Sequence, residues 1–309
     1  MIKKIAILNK YQNRVNRGVE TYILELTKRL SNKFKIDIIN DINYFKILVS
    51  DYDLIMPTNG RSQVFIIRMI TWLKRIKMVV AGFSGIGFDD RLNLYAFPDF
   101  FIPMSTKALK KSKRINPFVK LIKIPGGVDL SKFKKFSKVR KSSTKVILSV
   151  GAFTAQKRHD LVIKAVSKLN NVNLIIAGGG GDLKESIEAL GKEMLGERFE
   201  IIQTTNDKMP GIYNQADVFT LASNPTESFG IVLVEAMATG LPVVATNDAI
   251  RKEIVGDAGL FVDPTNADEY AKILEKALNT NWGDKPRNQA EKFSWDKIAK
   301  SYEEILENL

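Results

Sequence analysis

The sequence predicts an α/β protein of two doubly wound, Rossmann-like domains facing each other across a cleft. Three observations carry this. The chain has 309 residues, which at roughly 150 residues per domain is room for two cores. Short apolar runs of strand length alternate with segments of helical period, the pattern of βαβ units and of parallel sheets covered on both faces. Charge is divided unevenly: residues 1–150 hold 30 Lys and Arg against 10 Asp and Glu, a net +20, and the rest 17 against 24, a net −7.

In order along the first half, strands are expected at Lys4 to Leu8, Lys35 to Ile39, Asp53 to Met56, Met78 to Ala81, Phe100 to Pro103 and Leu121 to Ile124. Between the first two, Val19, Tyr22, Ile23, Leu26 and Leu30 recur at three- and four-residue spacing and predict an amphipathic helix. The Lys- and Ser-rich stretch Ser131 to Thr144 reads as a linker. The second half repeats the theme, with strands expected at Lys145 to Val150, Val172 to Ala177, Phe199 to Ile202, Val218 to Leu221, Pro242 to Ala245 and Leu260 to Val262. The expected domains are 1–138 and 139–288, followed by a C-terminal helical segment at 289–309.

Composition removes several classes of function. With no Cys and one His, disulfide scaffolds, thiol catalysis and Cys-ligated zinc fall away, and a Ser-His-Asp mechanism would have to run through His159. His159 itself reads as an exposed surface group. Lys3 and Lys4 precede only the short apolar run Ile5 to Leu8, too little for a signal peptide, and Arg68 interrupts the apolar run Val64 to Leu73. The expectation is a soluble, cytoplasmic protein.

In doubly wound sheets ligands sit beyond the carboxyl ends of the strands, and four such loops carry chemistry. In Asn16-Arg17-Gly18-Val19-Glu20, Gly18 would let a phosphate approach the backbone at a helix start, although a lone glycine equally marks a plain turn. In Gly151-Ala152-Phe153-Thr154-Ala155-Gln156-Lys157, Lys157 adds a mobile positive charge to an amide-lined anion site. The run Gly178 to Gly181 does not complete a dinucleotide fingerprint, because Leu183 and Lys184 stand where the last glycine is needed.

The fourth loop runs from Pro225 to Thr246. Ser228 is the expected N-cap, Ile231 to Ala238 the helix, Gly240 its stop, and Pro242 the lead into a strand. Glu227 stands at the helix entrance and Glu235 on the helix, with the unsatisfied amides of Phe229, Gly230 and Ile231 between them. Carboxylate, amide nest, carboxylate complements the hydroxyls, diphosphate and ribose of a nucleotide sugar. Glu235 also lies in an otherwise apolar helix, where a charge is costly without a partner. The plainer reading is two surface glutamates on an ordinary helix.

At these residues the sequence resembles the retaining GT-B glycosyltransferases of family 4, over nearly the whole chain and most strongly in the second domain. The resemblance rests on Glu227 and Glu235 with seven residues between them, on Ser228-Phe229-Gly230 and on Glu235-Ala236-Met237-Ala238. Lys157 matches a family lysine that holds the donor diphosphate, and Gly18 matches part of a glycine pair. Pro125-Gly126-Gly127-Val128-Asp129 resembles the turn closing the first domain, and Phe293-Ser294-Trp295 through Leu309 the helix that crosses back to it. Three positions depart from the pattern: Ala152 replaces an arginine beside the phosphates, Arg17 replaces the first glycine of the pair, and Phe83-Ser84-Gly85 replaces a histidine.

The resemblance implies hexosyl transfer from a nucleoside diphosphate sugar with retention, with no cofactor and no metal. Lys157 and Glu227 are the implied catalytic residues; Arg17, Gly18, Gly151, Ser228, Phe229, Gly230, Ile231 and Glu235 are the implied donor-binding residues. The acceptor, a glycan or a lipid-linked phosphate, falls to the basic half. There Val64 to Trp72 could form an amphipathic surface on an anionic membrane; alternatively Ile66, Ile67, Ile70 and Leu73 pack in the core. A catalytically silent sugar-nucleotide-binding protein is one rival. A nucleic-acid-binding protein, for which no motif is present, is the other.

Overall fold

A computed structural model describes residues 3–12, 18–136 and 144–309. The first elements in the chain are β1 (Lys4–Leu8), α1 (Gly18–Leu30), β2 (Lys35–Ile39), α2 (Tyr44–Val49), β3 (Leu54–Pro57), α3 (Ser62–Lys74), β4 (Lys77–Gly82), α4 (Phe88–Tyr95), β5 (Phe100–Pro103), α5 (Thr106–Ile115) and β6 (Lys120–Leu121). Then follow β7 (Lys145–Val150), α6 (His159–Val166), β8 (Val172–Ala177), α7 (Lys184–Leu195), β9 (Phe199–Ile202), α8 (Met209–Tyr213), β10 (Val218–Leu221), α9 (Ile231–Ala238), β11 (Val243–Thr246), α10 (Ala249–Val255), β12 (Gly259–Val262), α11 (Ala267–Asn279), α12 (Lys285–Ala290) and α13 (Trp295–Glu307). Each expected strand is present, some shifted by a residue. The sixth is cut to two residues. Beyond it the Ile122 and Ile124 amides still donate to the carbonyls of Phe101 and Pro103 at 3.3 and 3.2 Å, and Pro125, which has no N–H, follows.

The chain forms two compact units, Met1–Gly127 with Trp295–Leu309, and Val128–Ser294. The expected boundary at 138/139 lies outside the described residues, as does Arg17. Residues 128–136 belong with the second unit because Arg287 donates to the carbonyls of Leu130 and Phe133, and the amide of Phe136 donates to Asn214. Part of the expected linker is therefore anchored structure. Counted by unit, the charge is 25 against 13, or +12, and 22 against 21, or +1. The acidic character of the second half is cancelled by the lysines that precede β7.

In the first unit, a parallel sheet of order β2-β1-β3-β4-β5-β6 buries the continuous apolar strands β1 and β3. The spacing Tyr22, Ile23, Leu26 and Leu30 forms the buried face of α1. The terminal helix α13 packs on α1: Tyr22 donates to the Tyr302 hydroxyl at 2.9 Å, and its ring meets Trp295 edge to face. Gly127 is required beside it, since a Cβ there would stand 2.5 Å from the indole. Among the described residues, no helix is long and apolar enough to cross a membrane.

In the second unit the order is β12-β11-β10-β7-β8-β9, all parallel. The chain moves outward from β7 to β9, then returns to place β10 on the other side of β7. Strand order reverses there, so the loops after β7 and β10 open side by side at the carboxyl edge. Beneath them Ile147, Phe153, Val162, Leu174, Val218 and Tyr270 share one core.

Candidate active site

The loop after β7 is shaped by close contacts with the glycine run after β8. The Phe153 amide donates to Gly180 at 2.8 Å, and the Leu183 amide to Phe153 at 3.0 Å. A Cβ on Gly178 would stand 1.9 Å from the Gly151 carbonyl, and one on Gly181, at φ +101°, 2.2 Å from the Phe153 carbonyl. These glycines let two loops stack. Gly151 in turn lies against the Lys157 methylenes, which a Cβ would meet at 3.1 Å. The glycine thus leaves room for the lysine stem and directs its amine towards the loop after β10.

There Lys157 Nζ forms an ion pair with Glu227 Oε2, each side chain less than a fifth exposed. Two residues widely separated in sequence, assigned separately to diphosphate and sugar, are brought into contact. The two loops are also tied by the Asn224 amide, which donates to the Gln156 carbonyl at 2.8 Å.

The helix after this loop begins differently from expectation. Ser228 is half-buried and does not cap α9; the cap position is Gly230, at φ +82°, with no side-chain cap. A left-handed residue is needed to turn the chain into the helix, and glycine adopts it without steric cost. Phe229 is buried edge to face on Phe293, and Ile231 opens the helix. The first amides of α9 precede any partner within the helix, and with the helix dipole they favour an anion. At the far end Gly240, at φ +85°, stops the helix as expected, and Arg287 donates to the last carbonyl, that of Ala238.

Glu235, on the same helix, accepts from the Tyr213 hydroxyl at 2.7 Å. Burial pushes its carboxyl up to about 7, and the Tyr213 hydrogen bond and the Lys132 charge offset this only in part. Gly18 lies in the first unit, exposed at the start of α1, with open space where a Cβ would be.

His159 corrects an expectation. It is 1% exposed, because it shares the inward face of α6 with Val162, Ile163 and Val166. Its Nδ1 lies 3.2 Å from Ser149 Oγ, and burial lowers its pKa to about 4. At neutral pH it is an uncharged core group.

Sequence reasoning missed two arginines. Arg158, at φ +51°, donates to the carbonyls of Ala222 and Ser223 at 2.7 and 3.0 Å. Arg251 on α10 is fully buried and donates to Glu227 O, Asn224 O and Ser223 Oγ. The signal for Arg251 was its spacing from Ile254 and Val255, which places it on the buried side of its helix.

Paired Rossmann-like sheets of this topology define the GT-B glycosyltransferase fold. HepE of Anabaena, solved with UDP and glucose, has a TM-score of 0.82 at 18% identity, covering 99% of this chain and 100% of that one. The apo lipopolysaccharide outer core galactosyltransferase WaaB has a TM-score of 0.78 at 15% identity, covering 99% and 100%. The chain belongs to the glycosyl transferases group 1 family, whose model matches residues 131–295. It is 36% identical over 171 residues to an uncharacterized glycosyltransferase of Methanocaldococcus jannaschii, covering 50% of this chain and 43% of that protein. To a D-inositol 3-phosphate glycosyltransferase of Corynebacterium jeikeium it is 30% identical over 185 residues, covering 54% and 44%. The chain matches less than half the length of these relatives.

Proposed function

We propose that the chain is a retaining, metal-independent glycosyltransferase that moves a sugar from a nucleoside diphosphate sugar to a glycan or lipid-linked acceptor. The observation that carries this is the Lys157–Glu227 pair at the sheet's switch point, beside the start of α9. Lys157 and the amides of Phe229 to Ile231 stabilise charge developing on the leaving diphosphate, the largest contribution expected in such a site. Glu227 accepts from sugar hydroxyls and Glu235 from those of the ribose. Retention is supported by the family resemblance. Metal independence is supported by the lysine and the helix dipole, which supply positive charge where a divalent ion would otherwise act.

The decisive experiment is a thermal-shift screen with UDP, GDP and ADP, followed by turnover of the matching sugars with and without EDTA. The expected result is a rise in Tm with one diphosphate and EDTA-insensitive transfer. Loss of turnover in EDTA with recovery on adding magnesium would refute the metal-free mechanism. Binding without transfer or hydrolysis would favour the catalytically silent alternative.

For the acceptor, the first unit offers two features. At the carboxyl edge of β1 and β3, Asn9, Gln12 and Asn59 form a connected set of amides. Gln12 Nε2 and, near Gly60, Asn93 Oδ1 are buried without a hydrogen-bond partner among the described residues. Neutral donors and acceptors suit sugar hydroxyls better than phosphate. On α3, Val64, Ile67 and Ile70 fill the core, but Phe65, Met69, Trp72 and Leu73 are exposed. Phe45 and Val49 of α2 are exposed as well, with Lys46 and Arg75 nearby in the chain. Of the two alternatives for this segment, Ile67 and Ile70 follow the core and Ile66 and Leu73 the surface. An apolar outer face on a unit of net +12 suits an anionic membrane surface. The protein is expected to float with phosphatidylglycerol vesicles at moderate salt, and the double variant Trp72→Glu, Leu73→Glu to remain at the bottom. Equal recovery of both would refute this surface.

A further inference from the structure

Arg251 has no exposed surface, yet it is a cation, and burying one is costly unless its donors are met. Its two Nη atoms find their partners mainly on one short segment, while Nε has none among the described residues. Nη2 donates to Ser223 Oγ and Asn224 O, both at 2.8 Å, and Nη1 to Glu227 O at 3.1 Å. The only carboxylate paired with it among the described residues is Asp248, 3.4 Å away. That carboxylate is itself held in place, since Asp248 caps α10 by accepting from the amides of Ile250 and Arg251. The guanidinium therefore joins the start of α10 to three points along the loop after β10. Arg158 holds the preceding carbonyls, and the Asn224 amide is committed to Gln156. A planar fork with several fixed donors restrains carbonyl directions in a way that a lysine ammonium does not.

We propose that Arg251 is a positioning residue: by holding the carbonyls of Asn224 and Glu227 it fixes the loop so that the Glu227 carboxylate meets Lys157. It touches neither side chain of the pair and acts through the backbone of one. Its importance for turnover rests on the reading of Glu227 as the sugar-contacting carboxylate, but the placement of Glu227 can be tested without any substrate.

Lys157 is shielded by Glu227, so its rate of acetylation by an N-hydroxysuccinimide ester, followed by peptide mass spectrometry, reports the pair directly. In Arg251→Lys this rate should rise about fivefold, the factor corresponding to loss of an interaction of roughly 1 kcal/mol. Other lysines of the second unit should be unaffected. Glu227→Ala should raise it equally, and adding Arg251→Lys to Glu227→Ala should change it no further, since the arginine acts through that glutamate. Should Arg251→Lys fail to fold, Ser223→Ala removes one of the arginine's acceptors while leaving the charge in place, and a smaller rise at Lys157 alone is expected. An unchanged Lys157 rate, a rise shared by all lysines, or a further increase on the Glu227→Ala background would overturn the proposal and leave Arg251 a merely structural group. Turnover of the nucleotide sugar that the thermal-shift screen selects, read as release of its nucleoside diphosphate, separates the parent reading. If Glu227→Ala leaves turnover intact while the labelling result holds, the assignment of Glu227 fails and the positioning role stands.

Discussion

Replacing Lys157 by Ala is expected to lower turnover about 100- to 1,000-fold, the loss typical of removing one group aimed at developing charge. The amine lies on the glycine-backed loop after β7 and is oriented by Glu227. A diphosphate entering beside α9 would compete with Glu227 for that amine. Its attraction grows as charge moves onto the leaving oxygen, so the effect should fall on kcat more than on affinity for the nucleoside diphosphate. Single-turnover rates and calorimetry with the diphosphate that the screen selects, on the same preparation, decide this. A rate near wild type would end the assignment of Lys157, and a diphosphate affinity lost in proportion to the rate would make it a ground-state binding group. Lys157→Arg should recover little, because a planar guanidinium does not reproduce the compact point charge of the ammonium.

The parts of this site that were legible in the sequence are those in which one residue type does a local job. Gly240 and Pro242 punctuate α9, continuous apolar runs mark the buried strands, and the spacing of Tyr22, Ile23, Leu26 and Leu30 marks a helix face. The misreadings came where tertiary contact outweighed local preference. Ser228 is an excellent cap residue by type, but the chain turns at Gly230, which alone can adopt the required left-handed backbone cheaply. His159 is polar and belongs to a strongly basic chain, yet its helix face turns it into the core beside Phe153.

The charge arithmetic shows the same limit. Cutting the chain at residue 150 gives an acidic second half, whereas the packing of residues 128–136 through Arg287 makes the second unit nearly neutral at +1. On the proposed reading, a diphosphate bound there would rely on local groups, namely Lys157 and the start of α9, rather than on a broad positive field. The +12 of the first unit remains available to attract an anionic surface or acceptor. Arg251 was hidden for a related reason: composition counts an arginine as surface charge, while its helix position puts it under the loop after β10.

Replacing Glu235 by Ala is expected to weaken binding of the nucleoside diphosphate that the screen selects about 10- to 100-fold, with a smaller effect on the rate of bound donor, since each hydrogen bond to an ionised carboxylate contributes about 1.5–3 kcal/mol. The wild-type affinity should also depend on pH. With its carboxyl titrating near 7, Glu235 is largely protonated at pH 6 and ionised at pH 8, and only the ionised form accepts fully from two ribose hydroxyls. Affinity should therefore rise through neutrality in wild type and stay low and flat in Glu235→Gln. Stability runs the opposite way. The folded-state value lies above the ordinary 4.5, so the contribution of this group to stability is complete below that value and is lost as pH rises through about 7. Glu235→Gln should accordingly melt higher than wild type at pH 8.5, and the difference should shrink at pH 5.5. If affinity does not rise with pH in wild type, Glu235 is not the ribose acceptor. If the melting difference is absent as well, its carboxyl is not held near neutrality, and Tyr213 and Lys132 compensate its burial more fully than their positions suggest. Both trends together would mean that the fold retains at this position a carboxylate that destabilises the unliganded protein at working pH, a cost expected of a group kept for binding rather than for packing.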